Sequence, residues 1–318
     1  MKQGSLSMTG YFDKGKKTKR EQFLAEMDQV VPWARLCALI EPRYPKGSPA
    51  GGRPPLPLER MLRIYCLQQW YNLSDPGAEE ALYDSITMRQ FAGVRTDADI
   101  IPDETSILNF RRLLESHQLT ERLLAEINAH LCERGLLVGK GTIVDATILD
   151  APSSTKNAKK KRDPQMHQTK KGKQWYFGMK VHIGVDTDSG LVHTLRGTAA
   201  NVADVNVLGE LLHGGEESLH GDSAYHSKGL KAQAEASGIA FNVNERGTKH
   251  RPLTKTQRAR NRRLSRVRAT VEHPFLVVKR LWGHAKVRYR GIGKNLAQMH
   301  TLFALANVYR FRYRLLSP

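Results

Sequence analysis

Apolar residues recur at helical spacing through most of the first 135 residues. Residues 21–42 show this spacing, and a Pro/Gly-rich stretch over 45–57 then indicates a loop or linker. Beyond it the pattern predicts four helices, over residues 58–73, 78–93, 103–119 and 119–135. We expect Asp103 or Thr105 to cap the third helix, Thr120 to cap the fourth, and Gly135 to end it.

The pattern changes at Val138, where β-branched and apolar runs replace the helical spacing. Strands are predicted over 141–149, 174–186, 190–199, 218–225 and 239–247. Helices are predicted over 204–214, capped by Asp204, over 227–238, and in a last region near the end. This order is typical of an α/β RNase H-like domain, a mixed five-stranded sheet with flanking helices, preceded here by an all-α part.

Length and pattern divide the 318 residues into three parts. They are a basic N-terminal segment with a linker (1–57), a helical domain (58–137) and an α/β domain (138–318). Cys37, Cys66 and Cys132 lie far apart, which disfavours a disulfide framework or a zinc cluster. Because neither a signal peptide nor a membrane span is visible, we expect a cytoplasmic protein with no membrane partner.

The charge of the chain points to a polyanionic partner. Lys and Arg number 50 against 31 Asp and Glu, a formal net charge of +19 with a pI near 9.9. A field of this sign attracts nucleic acid, although a basic and merely well-solvated surface is the alternative. The charge is clustered in two tracts, over 151–180 and 251–290. This clustering favours binding to DNA.

Three carboxylates stand where acids are unusual. Asp145 interrupts an apolar strand, where an unpaired charge costs several kcal/mol, and Asp222 ends another strand after Gly221. Glu272 lies in a helical stretch crowded with cations. Strands that are adjacent in an RNase H-like sheet would bring the two aspartates together, and a helix packed on the sheet would add the glutamate. Carboxylates in such a set can hold two Mg²⁺ ions for phosphoryl transfer.

Cations flank Glu272 at helical offsets. Arg268 precedes it by four residues and Lys279 follows it by seven, so a regular helix would place all three on one face. They could hold DNA phosphates, or they could be incidental ion pairs. Pro274 removes one helical hydrogen bond between them and is expected to kink the helix.

Further DNA contacts are predicted from the basic tracts and from one helix. In the first tract the candidates are Lys159, Lys160, Lys161, Lys170, Lys171 and Lys173. In the helix over 103–119 they are Arg111 and Arg112, although a plain helical bundle explains these two arginines equally well.

Long stretches of the chain resemble transposases of the bacterial insertion sequence 5 family, within the insertion sequence 4 superfamily of DDE transposases. The resemblance runs from about Arg20 to Arg310 and is carried by these segments: RPPLPLERMLRIYCLQQWYNLSD, ALYDSITMRQFAG, GTIVDATILDAPSSTKN, RDPQMHQTKKGKQWYFGMKVHIGVD, SGLVHTLRGTAANVADVNVLGELLHG, GDSAYHS and VRATVEHPFLVVKR. It implies a helical domain that recognises transposon ends or dimerises, and an RNase H-like catalytic domain.

The resemblance also implies roles for individual residues. Asp145, Asp222 and Glu272 match the family's catalytic, metal-binding acids, with Mg²⁺ as cofactor and Mn²⁺ expected to substitute. In the superfamily's C-terminal signature, Tyr-x2-Arg-x3-Glu-x6-Lys, Ser265 stands where the tyrosine would be.

The expected function is that of a nucleoid-associated transposase. It would act as a homodimer or larger homo-oligomer on double-stranded DNA, cutting the inverted-repeat ends and joining them to a target. A nuclease of the same fold without strand transfer, and a catalytically silent DNA-binding regulator, are the alternatives.

Overall fold

A computed structural model describes residues 16–47, 54–95, 99–156, 158 and 160–317. Its first part is helical. The helices are α1 (Lys19–Val30), α2 (Trp33–Ile40), α3 (Leu58–Tyr71), α4 (Asp75–Asp84), α5 (Ile86–Phe91), α6 (Glu104–Ser116) and α7 (Leu119–Glu133). Asp103 caps α6 as predicted, because its carboxylate accepts a hydrogen bond of 2.6 Å from the backbone N–H of Ser106.

Two details of the helical prediction are wrong. The single helix expected over 78–93 is interrupted at Ser85, whose extended backbone ends α4 and whose hydroxyl caps α5 by accepting from Met88 N. Thr120 does not cap α7. The capping position is Gln118, which has a left-handed backbone with φ of 53°, and Thr120 is buried inside the helix.

The second part contains a mixed sheet. Within the described residues its strands are β1 (Gly141–Asp150), β2 (His167–Lys171), β3 (Gln174–Asp186), β4 (Val192–Ala199), β5 (Ser218–Gly221) and β6 (Ala240–Val243). β3 pairs antiparallel with β1 and β4, whereas β5 pairs parallel with β1 and β6. The order across the sheet is β4-β3-β1-β5-β6, and β2 pairs with the first residues of β3.

This sheet fits an RNase H-like fold, with one strand more than the five that the sequence predicts. The additional strand is β2, which forms a hairpin with β3. Asp204 does not cap an α-helix as predicted. It is the first residue of the 3₁₀ helix Asp204–Leu211. Its carboxylate instead accepts a hydrogen bond of 2.8 Å from Lys180 Nζ.

One of the remaining helices lies between β5 and β6 in the chain, and the others follow β6. They are α8 (Lys228–Ala236), α9 (Lys255–Arg268), α10 (Glu272–Leu276) and α11 (Ile292–Leu316). A 3₁₀ turn, Ala269–Val271, joins α9 to α10, and a π-helical turn, Val277–Leu281, follows α10. No helix among the described residues is both long enough and apolar enough to cross a membrane.

The sheet separates two hydrophobic clusters. Ile143 and Val144 are successive residues of β1 and point to opposite faces, into the larger and the smaller cluster respectively. The larger cluster also contains Leu24 from α1, Leu62 from α3 and Phe303 from α11. Segments from all three predicted parts of the chain therefore share one core, and the division at residues 57 and 137 stays a prediction.

Candidate active site

Asp145 lies in the middle of β1, between the buried Val144 and the partly buried Ala146. Its side chain is 16% exposed. One carboxylate oxygen accepts a hydrogen bond of 2.8 Å from Ala146 N, and the other lies 3.4 Å from Arg268 Nη1. Burial raises the pKa of Asp145 to about 6, despite these two contacts, and the negative charges of Asp222 and Glu272 add to the increase.

Asp222 directly follows β5, the strand that runs parallel to β1. In the register of these strands Ile143 pairs with His220, and both aspartates come two residues later. Adjacent strands lie about 4.8 Å apart, so this register places Asp222 beside Asp145. The Asp222 carboxylate also accepts a hydrogen bond of 2.8 Å from Ala224 N, which fixes the turn after the strand.

Gly221 permits close packing beneath this turn. A Cβ atom at this position would lie 3.1 Å from Val144 Cγ2 and 3.3 Å from the ring of Tyr225. Tyr225 is buried, and its hydroxyl has no hydrogen-bond partner among the described residues. Burial raises the pKa of Tyr225, and the charges of Asp204, Asp145 and Asp222 raise it further. The sequence gives no sign of this buried phenol beyond its place in the GDSAYHS segment.

Glu272 begins α10 and is exposed at its surface. The chain around it is not the regular helix that the sequence suggests, because a 3₁₀ turn precedes it and the π-helical turn follows Leu276. The irregularity surrounds Pro274, which has no N–H to donate. Even so, Arg268, Glu272 and Lys279 border the same cleft.

Lys279 attaches the π-helical turn to the strand that carries Asp145. Its ammonium group donates hydrogen bonds of 3.0 Å to Thr147 Oγ1 and 2.9 Å to the carbonyl oxygen of Ile148. Burial lowers the pKa of Lys279, and the nearby charge of Lys171 lowers it further. Both contacts hold the end of the helical segment against β1.

These residues line an open cleft of about 860 Å³. Asp145, Asp222 and Glu272 border it together with four cations: Lys171, Arg268, Lys279 and Arg280. Of these, Arg280 was not among the residues predicted from the sequence. Within the ranges that the structure describes, no three Asp, Glu, His or Cys side chains form a ready-made metal cluster. The three acids therefore share a cleft without forming a closed ligand set.

The donor set of this cleft is nevertheless suited to a hard divalent cation. All three acids offer carboxylate oxygens, which Mg²⁺ prefers as ligands. The raised pKa of Asp145 reflects a carboxylate that is desolvated and close to like charges. A bound cation would favour the ionised form of this carboxylate and so lower its pKa.

Comparison with known protein families agrees with this arrangement. Residues 137–308, more than half of the chain, match the family described as "Transposase DDE domain". The chain belongs to the DDE transposases. Residues 12–113 match a second family, described as "Transposase domain (DUF772)", which covers most of the helical part of this transposase.

A solved structure with some similarity to the transposase is a viral complex. It is a simian T-cell lymphotropic virus intasome bound to the PP2A regulatory subunit B56 gamma. The match has 16% sequence identity, covers 74% of this chain and 72% of that chain, and has a TM-score of 0.23. A TM-score this low supports no structural conclusion.

The predicted DNA-contacting lysines of the first basic tract are spread along the surface of the transposase. Lys159 lies outside the described residues. Those that are described are exposed: Lys160, Lys161, Lys170, Lys171 and Lys173. Of the five, only Lys171 borders the cleft, whereas Lys161 borders a second cavity. Lys170 lies 5.7 Å from the ring of Trp175, a side chain that is 64% exposed although its strand pattern suggests core packing.

Arg111 and Arg112 differ sharply in the structure. Arg111 is buried and forms ion pairs of 2.9 Å with Asp75 and 2.8 Å with Glu115, with its guanidinium 4.3 Å from the ring of Tyr289. With these partners Arg111 links helices and has no free face for DNA. Arg112 is exposed, so DNA contact by this residue stays a prediction.

Proposed function

We propose that this DDE transposase serves an insertion sequence similar to those of the insertion sequence 5 family. It binds the terminal inverted repeats, cleaves the DNA there, and joins the freed 3′ ends to a target. The observation that carries this proposal is the shared cleft, since acids from β1, from the end of β5 and from α10 line it together with four cations. A homodimer or larger homo-oligomer, needed to hold two ends, is part of the proposal.

Asp145, Asp222 and Glu272 would hold Mg²⁺, with Mn²⁺ as a substitute. When bound, a pair of such ions activates the attacking oxygen and stabilises the leaving oxygen in phosphoryl transfer. The carboxylates must be ionised for this purpose, and Asp145 is ionised above about pH 6.

The cations of the cleft act on the DNA. Arg268 and Arg280 offer guanidinium groups to the phosphates next to the scissile bond, and Lys171 adds an ammonium group. Lys279 positions the helical segment on β1 through Thr147 and Ile148. Together they offset charge that develops on the reacting phosphate.

Two reactions then use the same cleft. In the first, water attacks the phosphodiester at the transposon end, breaks one P–O bond and leaves a 3′ hydroxyl. In the second, that hydroxyl attacks a target phosphodiester, forms a new P–O bond and releases the target's own 3′ oxygen.

The test is an in vitro assay with DNA bearing the inverted repeats, in Mg²⁺ and in Mn²⁺. Asp145→Asn, Asp222→Asn and Glu272→Gln should each bind the ends and lose cleavage by a factor of about 100 or more. Asp188→Asn, which removes an exposed carboxylate, should cleave normally. Near-normal cleavage by one of the three variants would remove that residue from the proposed site.

The same assay separates the two alternative functions. A nuclease of this fold would hydrolyse DNA without ever joining a 3′ end to the target. A silent regulator would bind the ends and cleave nothing in either metal. Either result with the wild-type protein would contradict the proposal.

A further inference from the structure

The helix α9, which leads into Glu272, carries an unusual density of positive charge. Five of its cationic side chains are exposed: Lys255, Arg258, Arg262, Arg263 and Arg266. Four of them, at 255, 258, 262 and 266, are separated by three, four and four residues. Such spacing places them in one row along a single helix face. We call these four residues, together with the neighbouring Arg263, the α9 cationic row.

The opposite face of α9 is fixed to the end of the sheet by polar contacts. Arg260 donates to the carbonyl oxygens of Phe241 and Val243, both at 3.3 Å. Asn261 exchanges hydrogen bonds of 3.0 and 2.9 Å with the backbone of Glu245. The helix therefore has a defined position relative to β6, and its outward face points away from the protein.

Among the described residues, no acidic side chain pairs with the cationic row. Within the described part of the chain, none of its five side chains forms an ion pair or a hydrogen bond. Glu272 is the only acid between residues 251 and 290. Five neighbouring cations repel each other, so the row is suited to a partner that brings several negative charges in a line.

The dimensions of the row suit a DNA backbone. Eleven residues separate Lys255 from Arg266, which is about 16 Å along a helix. Phosphates follow each other along one DNA strand at about 3.4 Å of helix axis, so the row is as long as about five base pairs. Arg258 precedes Glu272 by fourteen residues, through α9 and the 3₁₀ turn that follows it, so the two lie at most about 22 Å apart along this path, or roughly six base pairs.

We propose that the α9 cationic row binds the phosphate backbone of the duplex whose scissile phosphate lies in the cleft. This inference rests on the proposed function, because a DNA end in the cleft brings its adjoining duplex to the helix that precedes Glu272. The contacts are to phosphates, so they position the duplex without reading its sequence.

The test compares two triple variants of the full-length protein. Arg258→Gln/Arg262→Gln/Arg266→Gln removes three cations of the row, and glutamine keeps the helix propensity high. The control Arg43→Gln/Lys294→Gln/Arg314→Gln removes the same charge from exposed positions just after α2 and on α11. These positions lie outside the helical domain predicted over 58–137, and α11 contacts β4, the opposite edge of the sheet from β6.

The first measurement is the salt dependence of binding to end-bearing duplex. We call the triple variant Arg258→Gln/Arg262→Gln/Arg266→Gln the row variant. Its slope of log affinity against log salt should fall in magnitude by about 3, since each lost phosphate contact contributes about 0.9. The control should keep the wild-type slope. If the row variant fails to fold, judged by circular dichroism, Arg262→Gln alone should lower the slope by about 1.

The second measurement is interference by phosphate ethylation. Ethylated phosphates within about six base pairs of the cleavage position should weaken wild-type binding, and the row variant should lose this effect. If the row variant keeps the wild-type slope and the wild-type interference pattern, the inference is overturned. The proposed function would still stand in that case, provided that the wild-type protein cleaves the ends and joins them to a target. Failure of the wild-type protein to cleave the ends would instead count against the proposed function.

Discussion

At the scale of single residues, Asp145 holds a carboxylate where water cannot fully solvate it. Its folded-state pKa of about 6 lies above the ordinary value of 3.8. Protonation therefore favours the folded state. This stabilising effect is fully present below about pH 4 and is lost as the pH rises through about 6. Above that pH, the ionised carboxylate lowers the stability of the metal-free protein.

We expect Asp145→Asn to be more stable than the wild type when no divalent cation is present. Asparagine cannot ionise, so its advantage should grow from pH 5 to pH 7 and then level at no more than about 3 kcal/mol, because one pKa unit equals 1.36 kcal/mol. Urea denaturation between pH 5 and 8 measures this difference. Asp188→Asn is the matched control at an exposed position, and its stability should follow the wild type.

Addition of Mg²⁺ should reverse the order of stability between these proteins. If Asp145 is a ligand as proposed, the wild type gains stability from a cation that binds only the folded state, whereas the asparagine variant lacks this carboxylate and gains less. An Asp145→Asn variant that is less stable than the wild type at pH 8 without metal would contradict the high pKa of this carboxyl group.

The sequence predicts the candidate acids better than it predicts the cations around them. An acid within a buried apolar strand is visible in the sequence because its cost must be compensated. An arginine on a helix gives no comparable indication of its role in the sequence. Arg111 and Arg112 are adjacent, yet in the folded protein Arg111 is buried and Arg112 is exposed. Arg111 pairs with Asp75 of α4 and with Glu115 of α6, so its ion pairs depend on how these two helices pack.

At the scale of elements, Arg111 joins α6 to α4 and to the segment before α11. We expect Arg111→Gln to lower the free energy of unfolding by about 3 kcal/mol, because it leaves Asp75 and Glu115 without their shared cation. Arg112→Gln, the adjacent exposed position, should change it by less than about 0.5 kcal/mol. Chemical denaturation of both variants checks this, and equal effects would show that Arg111 does not serve as a structural link.

Hydrophobic alternation predicts β1 and β3 but misses the polar strand β2. β1 and β3 are correctly located because one face of each is apolar and buried. β2 has the sequence HQTKK, with four of its five residues exposed, so it has no apolar face to reveal it. It is a strand because it pairs with the first residues of β3 across the turn at Gly172, and a polar hairpin arm of this kind shows no hydrophobic alternation.

At the scale of the whole molecule, the last helix completes the core. Residues of α11 such as Met299, Phe303 and Val308 are buried in the cluster that also includes α1, α3 and the sheet. A chain that ends after Arg290 lacks all of them. Leu302 and Leu305 of α11 lie in the same cluster, which makes five large apolar side chains. Burial of one such side chain contributes about 1.5–3 kcal/mol, so the loss of all five, about 7.5–15 kcal/mol, is as large as the 5–15 kcal/mol by which a domain is usually stable.

We therefore expect the chain that ends after Arg290 to lack fixed tertiary structure and cooperative thermal unfolding. The control ends after Leu316, the last residue of α11, and should unfold as the full chain does. Near-ultraviolet circular dichroism and a melting curve distinguish the two. Cooperative unfolding of the shorter chain would show that α11 is dispensable.

The period-3.6 pattern could not predict where α11 packs. This 25-residue helix contacts α1, α7 and β4, so apolar residues occur on most of its sides instead of along one stripe. The sequence therefore indicates that it is buried but not which elements surround it. These partners lie far earlier in the chain, the nearest of them being β4 (Val192–Ala199), and only the assembled fold identifies them.

The contact between α1 and α11 also has a consequence for synthesis of the protein. Because α1 is made long before α11, part of its apolar side stays exposed on the growing chain until α11 has been synthesised. We therefore expect a message that is cut short before α11 to yield a polypeptide that cellular proteases degrade.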